Sequence, residues 1–146
     1  MDTTCTDDVA ATVTFARENN ARLAIKDTGH DILGRSTGCG SLEVWIRHLR
    51  LELGFQSAYV SGREGDTWDW GAIFVGGSSS FDDVYAVAKR HNVVLVGGGT
   101  PSMGALGGWM QGGGHEPASR EFGVCSDQVL DAKGVLAGGS LSTASP

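Results

Sequence analysis

Apolar residues first recur at helical spacing at Val9, Val13 and Ala16, with Ala10 and Ala11 beside them, until Asn19-Asn20 ends the pattern. Ahead of this run, Thr6-Asp7-Asp8 supplies a hydroxyl to cap and two acids to complement the helix dipole, so a helix is predicted to start there. Arg22 to Lys26 is short and apolar in its middle, as a buried strand would be, and Ser41 to Ile46 alternates as a second strand. Between them, residues 27–40 carry four glycines and read as a loop. No period dominates from Arg47 to Trp70, where a loop with a short strand around Ser57 to Val60 is expected. Ala72 to Val75 predicts a strand and Ser80 a cap. Phe81 to His91 then predicts a helix that turns Val84, Tyr85, Val87 and Ala88 inward. Val93 to Val96 predicts a four-residue apolar strand. Residues 97–114 hold nine glycines in eighteen positions, too many for regular structure beyond one short helical turn. Asp127 to Ala132 predicts a strand turning at Lys133-Gly134. A hairpin follows, with Gly138-Gly139 at its turn and Ser140 to Ala144 returning.

This order predicts an α+β fold of two small α/β subdomains in series, sharing one mixed sheet arrangement. A length of 146 residues fits one domain, and the only ambiguous stretch lies near residues 51–67. The share of hydrophobic residues, 40%, and of charged residues, 19%, is that of an ordinary globular chain. A net charge of −6, with no cluster among the 11 Lys and Arg residues, argues against a nucleic acid partner. No apolar run approaches the roughly 20 residues of a membrane span. The start, Met1-Asp2-Thr3-Thr4, lacks the basic and apolar regions of a secretory signal, so a cytoplasmic protein or one whose leader has been removed is expected. Cys5, Cys39 and Cys125 form no CxxC pair, and His30, His48, His91 and His115 share no ligand spacing. Neither a disulfide framework nor a metal site is expected.

Glycine is the unusual entry: 23 residues, in clumps rather than at a fixed period. Each of the two main clumps follows a short apolar strand, at Lys26 and at Val96. Backbone N–H groups at such a strand end can form a concave anion site, because glycine allows them to be aimed inward. Neither loop fits the dinucleotide fingerprint. Gly97-Gly98-Gly99 is followed by Thr100, Pro101 and Ser102, so GxGxxG fails at its last position, and no GxxxxGK occurs. From glycine content alone, a phosphate cradle and a pair of solvent-exposed turns both remain open, and His30 reads as an ordinary loop histidine.

The run Lys26-Asp27-Thr28-Gly29-His30-Asp31-Ile32-Leu33-Gly34-Arg35-Ser36-Thr37-Gly38 resembles the first flavin loop of berberine-bridge-enzyme-like, FAD-linked oxidases. These belong to the vanillyl-alcohol-oxidase, or PCMH-type, flavoproteins. A second similarity runs from Val96 to Gly104 and on through Gly107 to His115, and a third covers Asp127 to Leu130 with the closing Ser140 to Pro146. Three motifs in the family's order, over nearly the whole chain, are far more specific than any one of them.

The resemblance implies a PCMH-type FAD-binding domain over residues 1–146, incomplete, with the substrate domain absent. It implies covalent attachment of the flavin at His30. Thr28, Gly29, Asp31, Gly34, Arg35 and Ser36 would surround the pyrophosphate and ribityl chain. Gly98, Gly99, Thr100, Gly104, Gly108, Gly112, Gly113 and His115 would line the other side of the cofactor, and Val129 the adenine half. Thr100 stands where bicovalent members carry cysteine, so a second thioether link is excluded at that position. Glu116 stands where the family usually has glycine, and its charge there is at odds with an anionic cofactor. The implied activity is oxidation of a small molecule, of unspecified identity, by hydride transfer to flavin with reoxidation by oxygen. No catalytic base is visible in the chain. The alternative is a shortened relative without flavin, acting as a binding or scaffold module or as a small non-redox cyclase. A truncated sheet would leave apolar faces uncovered, which predicts a homodimer or larger assembly.

Overall fold

The computed structural model describes residues 1–49, 51–60 and 67–145. Along the chain these form α1 (Thr6–Glu18), β1 (Leu23–Lys26), β2 (Leu42–Trp45), β3 (Gly54–Gln56), β4 (Tyr59–Val60), β5 (Thr67–Trp68) and β6 (Ala72–Phe74). Then come α2 (Phe81–His91), α3 (Gly108–Gln111), α4 (Ser119–Phe122), a 3₁₀ turn (Cys125–Gln128), β7 (Ala132–Val135) and β8 (Leu141–Ala144). Part of the stretch near 51–67, and Pro146 of the closing match, lie outside the described residues.

Local chemistry sets the two long helices. Ser80 caps α2 as its spacing predicts, and Asp83 reaches back to accept from the Ser80 N–H at 2.9 Å. The helix stops at Asn92, which adopts a left-handed conformation with φ +54°. Val84, Val87 and Ala88 are buried and Tyr85 half-buried, as their spacing requires. The start of α1 differs from expectation. Cys5 occupies the N-cap, Thr6 is already helical, and the Asp8 carboxylate does the capping, accepting from the N–H of Thr4 at 2.9 Å and of Cys5 at 3.2 Å. A carboxylate three residues into the helix reaches these donors better than a hydroxyl already inside it.

Strands β1 and β2 pair in parallel, Leu23 opposite Leu42 and Lys26 opposite Trp45. Met1 to Thr3 runs beside β2, with Trp45 N–H donating to Met1 C=O at 2.9 Å. Helix α1 packs on β2 with Val13, Ala16 and the buried Thr12, and also on β7. The β7–β8 hairpin is clipped there by Arg17 Nη1, which donates to Gly138 C=O at 2.7 Å. The two ends of the chain thus share one unit. The other unit packs α2 on the antiparallel pair β3–β6, and its core is Phe81, Val84 and Ala105 with Leu53, Ile73, Val75, Tyr85, Leu95, Met103 and Trp109 around them. Burying Phe81 contributes about 2–3 kcal/mol.

Three expectations are overturned. Among the described residues there is no single mixed sheet but four separate two-stranded ones. Val93–Val96 is extended, with Val96 buried and Val94 78% exposed, yet it joins no ladder among the described residues. A short apolar run favours an extended segment but cannot supply its neighbour. Asp127–Ala132 is not a strand: Asp127 accepts from Val124 N–H at 2.9 Å and so opens the 3₁₀ turn, and Lys133-Gly134 lies inside β7 rather than at a turn.

Candidate cofactor site

The two glycine loops are brought together although they lie far apart in sequence. Thr28, just past the end of β1, accepts with its hydroxyl a hydrogen bond from Gly104 N–H at 3.0 Å. His30 Nε2 lies 3.0 Å from the Ser102 hydroxyl. Asp27 precedes both, and its carboxyl rests against the α-carbon of Gly104: a Cβ on Gly104 would stand 2.7 Å from Asp27 Cγ. Gly104 is therefore required by the approach of the opposite loop.

Beyond this junction the first loop is organised by itself. Asp31 accepts from Arg35 N–H at 2.6 Å and from Arg35 Nε at 3.0 Å, and Gly34 N–H closes a turn onto Asp31 C=O at 3.1 Å. The Arg35 side chain and amide hold the Asp31 carboxyl below the usual carboxylate range. Gly29 and Gly34 have φ of +82° and +71°, values that other residues adopt only with strain. Gly29, His30, Gly34 and Arg35 are exposed and Ser36 half-buried.

The second loop is threaded over the start of α2. Phe81 N–H donates to Met103 C=O and Asp82 N–H to Pro101 C=O, each at 2.9 Å, so loop carbonyls satisfy donors that the first helical turn would leave free. In a trans peptide the C=O and the following N–H point in opposite directions. Carbonyls drawn inward at Pro101 and Met103 therefore turn the N–H groups of Ser102 and Gly104 outward, toward the first loop. Gly104 N–H reaches Thr28, whereas Ser102 N–H meets no acceptor among the described residues. Thr100, whose C=O accepts from Met103 N–H at 3.1 Å, is exposed, as is Gly99.

The remaining candidates gather elsewhere in the second loop. Gly108 starts α3 and Gly112 caps it, with Gly112 N–H donating to Gly108 C=O at 2.9 Å. Gly113 C=O accepts from Ser126 N–H at 2.9 Å, which ties this stretch to the 3₁₀ turn that leads to the half-buried Val129; His115 is exposed. Among the described residues, no hydrogen bond or ion pair joins these to the first loop. Sequence reasoning gave no role to two side chains at the junction, Ser102 and Asp27. Neither Asp27 carboxyl oxygen is exposed, and neither has a hydrogen-bond partner among the described residues. Burial pushes the Asp27 pKa from 3.8 up to about 6, against the pull of the Arg47 charge. A carboxyl that joins no metal-binding cluster among the described residues offers no sequence pattern by which to find it.

The outward Ser102 N–H, which meets no acceptor among the described residues, and the exposed Gly99 and Gly108, where nothing is found within 4 Å of the place a Cβ would take, fit an anionic diphosphate. Asp27 is the discordant group: even with its pKa raised to about 6, its carboxyl is mostly ionised at neutral pH and sets a negative charge at the junction. Such a fold and site define a flavin-binding domain. The chain belongs to the family described as FAD binding domain, which matches residues 3–145. It is 47% identical over 135 residues to an FAD-linked oxidoreductase of Hypomyces subiculosus, covering 91% of this chain and 22% of that protein. It is 36% identical to a VAO-type flavoprotein oxidase of Thermothelomyces thermophilus, over 95% of this chain and 23% of that one. Among solved structures, a VAO-type flavoprotein from Myceliophthora thermophila C1 superimposes with a TM-score of 0.87 and 45% identity, over 97% of this chain and 25% of its own. The chain thus spans about a quarter of the length of the relatives it matches. No helix among the described residues is long and apolar enough to cross a membrane.

Proposed function

We propose that this chain holds FAD between its two glycine loops and that it is the incomplete FAD-binding part, residues 1–146, of an FAD-linked oxidoreductase. The pair of cross-loop contacts, Thr28 to Gly104 and His30 to Ser102, carries this reading. When bound, FAD supplies the capacity to accept a hydride from a small-molecule substrate and to be reoxidised by oxygen. The residues of the chain bind and orient. His30 is the point of covalent attachment, its ring direction set by the Ser102 hydroxyl. Outward backbone donors of the second loop hold the diphosphate, with Thr28, Gly29, Asp31, Gly34, Arg35 and Ser36 along one side. Gly98, Gly99, Thr100, Gly104, Gly108, Gly112, Gly113 and His115 lie along the other, and Val129 lies toward the adenine. The base that would take a substrate proton is assigned to no residue of this chain.

Ile32, 99% exposed, and Leu33, Trp70 and Val94 present apolar surface that a second copy would cover, so a homodimer or larger assembly is proposed. A monodisperse monomer at micromolar concentration in size-exclusion chromatography overturns this point. One observation favours a second reading, a flavin-free binding module or non-redox cyclase: the carboxyl of Asp27 is buried without a hydrogen-bond partner where the two loops meet, a negative charge beside the place proposed for an anion. The two readings separate on colour. Protein incubated with FAD and precipitated with acid should leave a yellow pellet, and His30→Ala should move the colour to the supernatant while the melting temperature holds. Protein that stays colourless and takes up no FAD ends the flavin reading.

A further inference from the structure

One inward carbonyl of the second loop is held by a side chain rather than by the helix backbone. The Tyr85 hydroxyl, one turn into α2, donates to Gly98 C=O at 2.6 Å. By the opposition of C=O and N–H in a trans peptide, this bond turns Gly99 N–H away from the helix. The same relation correctly gives the direction of Gly104 N–H, which meets Thr28 after its preceding carbonyl is taken by Phe81. Gly99 is exposed, its N–H has no acceptor among the described residues, and nothing lies within 4 Å of where its Cβ would stand.

The packing under the loop leaves the phenol little freedom. Its ring stacks on Phe81 with centroids 5.7 Å apart, and Phe81 meets Trp109 edge to face at 5.1 Å. A Cβ on Gly97 would stand 2.7 Å from the Tyr85 oxygen, and one on Gly98 would stand 2.8 Å from the Phe81 ring. Both glycines are buried, so their lack of side chains serves the close descent of the loop onto α2. Burial, and then the electrostatic effects of Glu116 and Cys125, raise the Tyr85 pKa, so the phenol stays protonated well past neutral pH. Glu116, which departs from the family pattern, thereby acts on the phenol beneath the loop.

We infer that Tyr85 is a positioning residue: its hydroxyl fixes the Gly98–Gly99 peptide so that Gly99 N–H donates to a diphosphate oxygen of the cofactor. This rests on the flavin reading above and names one side chain that makes the cradle. In Tyr85→Phe the ring packing survives and only the hydroxyl is lost, so the peptide is free to turn and the donor is no longer held in place.

The probes are ADP, which carries the diphosphate without the flavin ring, and adenosine, which lacks it, both titrated calorimetrically into the flavin-free chain. The wild type should bind ADP more tightly than adenosine. Tyr85→Phe should weaken ADP about tenfold, leave adenosine unchanged, and leave the melting temperature of the flavin-free protein within a few degrees. The Gly99 amide signal in a ¹H–¹⁵N spectrum should shift on addition of ADP in the wild type and lose that response in the variant. If the wild type prefers ADP and Tyr85→Phe binds it equally well, this inference fails while the flavin reading stands. Equal losses for ADP and adenosine, with a collapsed melt, would assign Tyr85 to packing alone and also overturn it. A wild type that does not distinguish ADP from adenosine removes the diphosphate cradle itself.

Discussion

The two glycine loops look alike in composition and are built in opposite ways. Residues 27–40 form a surface loop whose order beyond the Thr28 and His30 junction comes from its own turn and from the Asp31–Arg35 pair, with Ile32 fully in solvent. Residues 97–104 are part of a core: Gly97, Gly98 and Gly104 are buried, and the carbonyls of Pro101 and Met103 complete the first turn of α2. In the first loop glycine provides unusual backbone angles; in the second it provides absence of bulk. Of two such walls, the one built on the surface can open without unfolding the one anchored in the core.

The sharpest way to break this contrast is Gly98→Ala. Its new methyl would press on the Phe81 ring and the Met103 methyl, so overpacking should cost about 1–3 kcal/mol and lower the melting temperature by roughly 3–10 °C. Gly34→Ala meets nothing within 4 Å and carries only the strain of its positive φ, so its loss should be the smaller. Thermal unfolding of the pair by circular dichroism checks the order; an equal loss for both would erase the distinction between the loops.

The junction between the walls should be pH-sensitive through Asp27. Its folded pKa, about 6, lies above the unfolded 3.8, so the folded state binds the proton more tightly. Its contribution is therefore fully present below about pH 4, declines as pH rises toward 6, and is absent above that. Asp27→Asn should flatten this decline and raise the melting temperature at pH 7 relative to wild type, as melts from pH 4 to 7 would record. An unchanged pH profile would mean that the carboxyl is not confined at the junction.

Smaller effects remain. Thr28→Val removes the acceptor of Gly104 N–H and should cost about 1 kcal/mol in denaturant titration, with faster hydrogen exchange at Gly104. Asp31→Ala should leave the global melt almost unchanged, because the pair it breaks is exposed. Its signature is faster proteolysis within residues 31–36. A large fall in melting temperature instead would show that the first loop supports the fold.

Much of the architecture was legible where neighbours in sequence decide it. Ser80 as a cap set the start of α2, a short apolar run placed β1, and alternation placed β2, each strand to within a residue at either end. The Gly138-Gly139 turn was read correctly for the same reason: a hairpin closes over a few residues. Asp127 was misread because its carboxylate reaches back to Val124, a competition between side chain and ladder that composition does not resolve. For the site, the motifs named the loops, but Ser102, Asp27 and Tyr85 stood inside them or beside them without a signal of their own.

The sequence by itself determined the two long helices, strands β1 and β2, the closing hairpin turn, the two small-residue loops and the family to which they belong. Each of these is written in local spacing or in motif order. Tertiary structure alone decided that the strands among the described residues would pair two by two, that His30 would meet a serine 72 residues away, and which glycines would be buried in packing and which left exposed. Such choices depend on what lies across space from a residue, and a glycine carries no side chain on which that distinction could be marked.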